Sequence, residues 1–201
     1  VHAGQHPDPL FGGVSVPIYQ SSTFAFRNAE HGAALFQGRA EGYIYTRIGN
    51  PTIKALEDSV AFLEGGAGAM ATSSGMAAVT TVYLAFLERD AHLVATDAVY
   101  GPSRTVVEGE LSRFGVQSDF TDTSDIEAVR KAIRPTTRLL FIETPANPTM
   151  ALTDIRACAA LAKERGLILA VDNTFCSPVL QNPLALGADV VACTRFCEQP
   201  G

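Results

Sequence analysis

Lysine is scarce in this chain. Lys54, Lys131 and Lys163 are the only three in 201 residues, and none follows Lys163. Chemistry that needs a lysine amine is therefore excluded from every later position. Basic residues (15) are scattered among 21 acidic ones, for a formal net charge of −6. That distribution argues against nucleic acid as a partner. No apolar run is long enough to cross a bilayer as a helix, and no signal-peptide pattern opens the chain, so no membrane partner is expected. The four cysteines, Cys158, Cys176, Cys193 and Cys197, do not form paired CxxC units. No metal site is expected from them; a reduced, cytoplasmic setting is. The chain shows no internal repeat and no low-complexity segment.

What is present reads as globular: 47% hydrophobic and 18% charged residues. The length suffices for one sizeable α/β domain with a buried core. The chain opens on Val1 and stops just after a strand-like run, so both ends read as cut. Residues 1–52 lack clean periodicity and are punctuated by glycine and proline. Yet they carry Phe11, Ile18, Tyr19, Phe24, Phe26, Phe36, Tyr43 and Tyr45. Such an aromatic, irregular arm is expected to pack against a neighbouring subunit.

From residue 53 to 201 a different pattern predicts a large domain. Strands are expected at Gly68–Thr72, His92–Thr96, Val116–Phe120, Arg138–Glu143, Leu167–Val171 and Asp189–Ala192. Helices are expected at Thr52–Leu63, Met76–Phe86, Ser103–Arg113, Ser124–Ile133 and Ile155–Arg165. This alternation predicts a mostly parallel sheet with helices on both faces, whose ligands gather at the carboxyl ends of the strands.

Four clusters fall at that edge or in the arm. Asp172 ends an apolar strand, where its carboxylate suits the protonated ring nitrogen of pyridoxal 5′-phosphate (PLP); a turn or cap aspartate is the plainer reading. Asn147, after the preceding strand, is placed to reach a pyridine 3′-oxygen, or else simply forms an Asn-Pro turn. Ser73-Ser74-Gly75-Met76 opens a helix, so its free N–H groups suit a phosphate; an ordinary serine-capped turn is equally compatible. Tyr100 follows another strand. It can stack on a planar ring and donate a proton, or merely pack. In the arm, Tyr45 and Arg47 lie two apart, so in an extended segment they share a side, with Arg47 suited to phosphate. A dinucleotide-like match, Gly66-Ala67-Gly68-Ala69-Met70-Ala71, lacks its context because a helix precedes it.

Taken together, Pro17–Phe24, Tyr45–Thr52, Ser74–Ala78, Glu143–Pro148 and Val171–Thr174 resemble the N-terminal half of the Cys/Met-metabolism PLP enzymes, the transsulfuration family. The resemblance runs from His2 to about Val191. It implies the PLP-dependent transferase fold of type I, with residues 1–52 as an inter-subunit arm, residues 53–201 as a shortened large domain, and the C-terminal domain absent. It also implies a PLP phosphate held at Ser74, Gly75 and Met76, a ring stacked on Tyr100, and a 3′-oxygen contacting Asn147. The ring nitrogen would pair with Asp172, and Tyr45 and Arg47 would reach the neighbouring subunit's phosphate. Homodimers or tetramers follow from that arrangement. The implied substrates are sulfur amino acids or homoserine esters, handled by γ-elimination or γ-replacement; Gly101–Arg104 instead resembles the β-lyases.

The resemblance fails at one place. The family reads S-A-T-K after its last matching strand, whereas this chain reads Ala192-Cys193-Thr194-Arg195-Phe196-Cys197. Thr194 matches the family threonine in a gapped register. The Schiff-base lysine then falls on Arg195, or on Cys197 without the gap. Neither side chain forms an imine. The expectation is a chain that turns over no substrate as written, with a truncated or frame-shifted reading, rather than gradual divergence, as the source of the change. A noncatalytic PLP-binding or dimerising fragment is the alternative.

Overall fold

The computed structural model describes residues 3–194. They divide into two compact units, the first ending at Ala71 and the second beginning at Thr72.

The first unit holds the arm and two helices, α1 (Ala29–Phe36) and α2 (Pro51–Glu64). Asn28 caps α1 by accepting the N–H of His31. Asn50 caps α2 by accepting the N–H of Thr52, Pro51 follows in the first turn, and Gly65 closes the helix in the left-handed region. Buried Asn50 also donates to the carbonyl of Tyr19 and to the hydroxyl of Thr46. One side chain thus joins the helix start to two arm segments. Asn50→Ala is expected to lower stability by about 2 kcal/mol, a cap plus two further hydrogen bonds. Urea denaturation followed by circular dichroism measures it.

The second unit is built on a five-stranded, all-parallel sheet. Its strands are β1 (His92–Thr96), β2 (Gln117–Thr121), β3 (Thr137–Glu143), β4 (Ile168–Asp172) and β5 (Val190–Ala192), in the order β2-β1-β3-β4-β5. Helices α3 (Gly75–Phe86) and α6 (Ile155–Arg165) agree with expectation to within a residue at each end. Helix α5 is shorter, Ile126–Ala132. Asp125 caps it, and Ser124 instead turns back on Asp122.

The alternation of side chains separates two cores. Leu93, Ala95, Leu139, Phe141 and Ala170 pack with Val79 and Tyr83 of α3. Val94, Leu140, Ile142, Leu169 and Val171 pack with Val129 of α5 and with Ile155, Cys158 and Leu161 of α6. Helices therefore cover both faces, as the strand–helix alternation requires.

Two expectations change. Gly68–Thr72 is not a strand: it forms no ladder with any described strand, and Gly68 and Met70 are exposed. Extended backbone becomes a strand only through a pairing partner. The single helix expected at Ser103–Arg113 is a helical run of three pitches: α4 (Gly101–Thr105), a π turn (Val106–Glu110) and a 3₁₀ turn (Leu111–Phe114). The β-branched run Thr105-Val106-Val107 and Gly109 weaken a regular α-helix there. A short helix, α7 (Ser177–Leu180), follows β4.

Candidate functional site

The carboxyl ends of β3 and β4 are register partners, so Glu143 lies beside Asp172. Both share strand parity with the residues that pack on α3, and so both stand on that face of the sheet. Both are buried, with Asp172 6% and Glu143 7% exposed.

Asp172 has two unlike oxygens. Oδ1 accepts the Thr174 N–H at 3.0 Å and the Thr174 hydroxyl at 2.6 Å. Among the described residues no hydrogen bond reaches Oδ2. Burial pushes the Asp172 carboxyl above the usual carboxylate range, opposed by the two Thr174 bonds. The Thr174 hydroxyl also accepts the N–H of Thr194 at 3.2 Å. Thr194 in turn crowds the start of α3: a Cβ on Gly75 would lie 1.6 Å from its Cγ2.

Helix α3 begins there. Ser74 caps it by accepting the N–H of Ala77 at 3.1 Å, so its hydroxyl takes the plainer of its two expected roles. The N–H groups of Gly75 and Met76 have no partner among the described residues. They sit at the positive end of a 12-residue helix. The Met76 sulfur accepts the Ser103 hydroxyl at 3.6 Å, which links α3 to α4. Asp172, Thr194, Gly75 and Met76 are thus brought to one edge, where an anionic acceptor lies near two free N–H donors. That arrangement can bind a cation at one point and a phosphate at another.

Tyr100 precedes α4 and is 44% exposed. Asn147 is exposed in the loop after β3. Their backbones meet at Glu143, whose Oε2 accepts the Tyr100 N–H at 2.7 Å and whose Oε1 accepts the Asn147 N–H at 3.0 Å. Burial raises the Glu143 pKa, these two bonds lower it, and the charge of Asp172 raises it further.

Tyr45 and Arg47 lie in the first unit, where Tyr45 forms an antiparallel bridge with Thr23 and the chain turns directly after it. The Tyr45 carbonyl accepts the N–H groups of Ile48 and Gly49, which turns the chain. Their side chains still share a side, because the Arg47 guanidinium lies 5.3 Å over the Tyr45 ring. Both are exposed. Arg195 and Cys197, the alternative positions for the missing lysine, lie outside the described residues.

Glu143 and Thr174 are the two groups that residue-by-residue reasoning leaves out. Each sits inside a segment already singled out, Glu143–Pro148 or Val171–Thr174. The available signal is that a carboxylate ending a buried strand needs N–H donors, and that a threonine two residues after an aspartate can cap it.

Among the described residues there is no helix long and apolar enough to cross a membrane and no group of three or more His, Cys, Asp or Glu able to hold a metal ion. An all-parallel sheet with helices on both faces and a carboxylate facing a helix start across its carboxyl edge defines an α/β protein with a cofactor-type site. The comparisons name the class more closely. A family model described as Cys/Met metabolism PLP-dependent enzyme matches residues 1–198. The chain is 46% identical to an L-methionine gamma-lyase of Porphyromonas gingivalis over all of its own length and 51% of that protein. It is 48% identical to a cystathionine gamma-lyase of Bacillus subtilis over 95% of its length and 48% of that protein. The crystal structure of metB from Corynebacterium glutamicum superposes with a TM-score of 0.88 at 43% identity, covering 94% of this chain and 48% of that one. The chain belongs to the Cys/Met-metabolism PLP-dependent enzymes. It spans about half the length of the curated relatives it matches.

Proposed function

We propose that this chain supplies the PLP-binding half of a transsulfuration-type enzyme acting on sulfur amino acids or O-acylhomoserines by γ-elimination or γ-replacement. The observation that carries this reading is buried Asp172, with Oδ1 engaged by Thr174 and Oδ2 open at an edge shared with the start of α3. PLP, when bound, supplies an electron sink that acidifies the bond next to the substrate nitrogen. The residues of this chain bind and orient it. Asp172 Oδ2 holds the proton on the ring nitrogen by placing a negative charge beside it. The N–H groups of Gly75 and Met76, with the Thr194 side chain, receive the phosphate. Tyr100 stacks on the ring and can exchange a proton through its phenol, and Asn147 bonds the 3′-oxygen.

Tyr45 and Arg47 complete the phosphate site of a second copy in the same proposal. Their exposed pairing and the exposed apolar side chains of the arm, Phe11, Ile18 and Ile48 among them, support a homo-oligomer. Arg195 and Cys197, the alternative positions for the family lysine, form no imine, so the contacts above would hold the cofactor noncovalently. Titration with PLP, followed by absorbance, tests the reading. Saturable binding is expected, with pyridoxal, which lacks the phosphate, at least about tenfold weaker. Absence of saturable binding, or equal binding of the two, would overturn it.

A further inference from the structure

We infer that Glu143 is a positioning residue that sets the separation of Tyr100 and Asn147 around the PLP ring, an inference that rests on the reading proposed above. The loops that carry these two residues leave different strands. Tyr100 follows β1 and Asn147 follows β3, and they are joined by one carboxylate through its two oxygens. Glu143 is itself fixed, since it is buried and ends a strand held in register with β4. Both bonds use backbone N–H groups. The Tyr100 phenol and the Asn147 carboxamide therefore stay free to meet a ring, while the main chain behind each is anchored to the same rigid point.

Among the described residues neither loop has an equivalent second hydrogen-bonded anchor to the other. Tyr100 precedes α4 without a side-chain cap, so the Glu143 bond takes the place of one. The Asn147 loop closes on itself through Ala146 and Met150, which hold its shape without fixing its distance from Tyr100. Two N–H donors from different loops require two acceptors in one side chain. A carboxylate provides them. Glutamine, of nearly the same shape, provides one acceptor and turns a donor toward the other N–H.

Glu143→Gln in the full chain tests this. PLP affinity is expected to fall about tenfold, and the circular dichroism induced in the bound ring should diminish because the ring is no longer held at one angle. Inorganic phosphate, used as a competitor, should keep its inhibition constant within about twofold, since the Glu143 hydrogen bonds among the described residues go to Tyr100 and Asn147 and not to Gly75, Met76 or Thr194. Unchanged PLP affinity and unchanged induced dichroism would overturn the inference while leaving the PLP reading intact. Parallel loss of PLP and phosphate binding would overturn it too, because Glu143 would then act through general stability. A wild-type chain that binds no PLP removes both readings together. If Glu143→Gln does not fold, Glu143→Asp carries the same comparison, with both acceptors kept on a shorter arm.

Discussion

Asp172→Asn is expected to weaken PLP binding by roughly 10- to 100-fold while making the ligand-free chain more stable at neutral pH. The asparagine oxygen can replace Oδ1 and keep accepting the Thr174 N–H and hydroxyl. The amide NH₂ then takes the place of Oδ2 and confronts the ring N–H with another donor. Loss of one charge-assisted hydrogen bond, about 1.5–3 kcal/mol, accounts for the affinity. The stability effect has the opposite sign. Burial raises the Asp172 pKa, so the folded chain holds this proton more tightly than the unfolded chain does. The group's contribution to stability is complete at low pH. It declines as pH rises from the ordinary carboxylate pKa through the raised one, because the ionised form is then buried. Asparagine does not titrate, so the advantage of the variant should open across that window and close below it. Melting temperatures between about pH 4 and pH 8, beside a PLP titration, measure both halves. Wild-type affinity in the variant would remove Asp172 from the ring nitrogen.

Gly75→Ala should damage fold and site together. The new methyl group would lie 1.6 Å from Thr194 Cγ2 and 2.4 Å from Thr194 Cβ. Rotation of the threonine moves Cγ2 but not Cβ, so the helix start and the chain after β5 must part. A cost of about 1–3 kcal/mol is expected from such overpacking. PLP affinity should fall by about tenfold or more, because the two free N–H groups move with the helix start. The double variant Gly75→Ala/Thr194→Gly removes the collision and should recover most of the stability, giving a large coupling in a double-mutant cycle. Urea denaturation and PLP titration on the three variants provide the numbers. Independent, additive effects would show that the two residues do not press on each other.

Much of the sheet is legible in the sequence. The apolar runs of β1, β3 and β4 are almost wholly buried, and such runs announce themselves by composition. The placement of Asp172 at a buried strand end is legible for the same reason, as a charge ending an apolar run. The segment 68–72 misled because short apolar stretches specify extension, while pairing depends on a distant partner. Helix α1 was hidden by its own composition: Gly32 lies in its middle, and its start is marked only by Asn28. The cap of Asp172 by Thr174, two residues on, follows a spacing rule, but the long contacts do not: Glu143 bonds Tyr100 at a separation of 43 residues, and Thr174 bonds Thr194 at 20. Spacing along a chain carries no trace of such contacts.

The unequal oxygens of Asp172 bear on what the site admits. A free carboxylate offers a fork, and a guanidinium or amidinium grips it with two parallel N–H groups. With Oδ1 closed off by Thr174, that grip has nothing for its second prong. In the proposed site, selection would work by counting donors: a heteroaromatic ring with a single N–H would be matched, and a two-pronged cation of the same charge would be left with one hydrogen bond unmade.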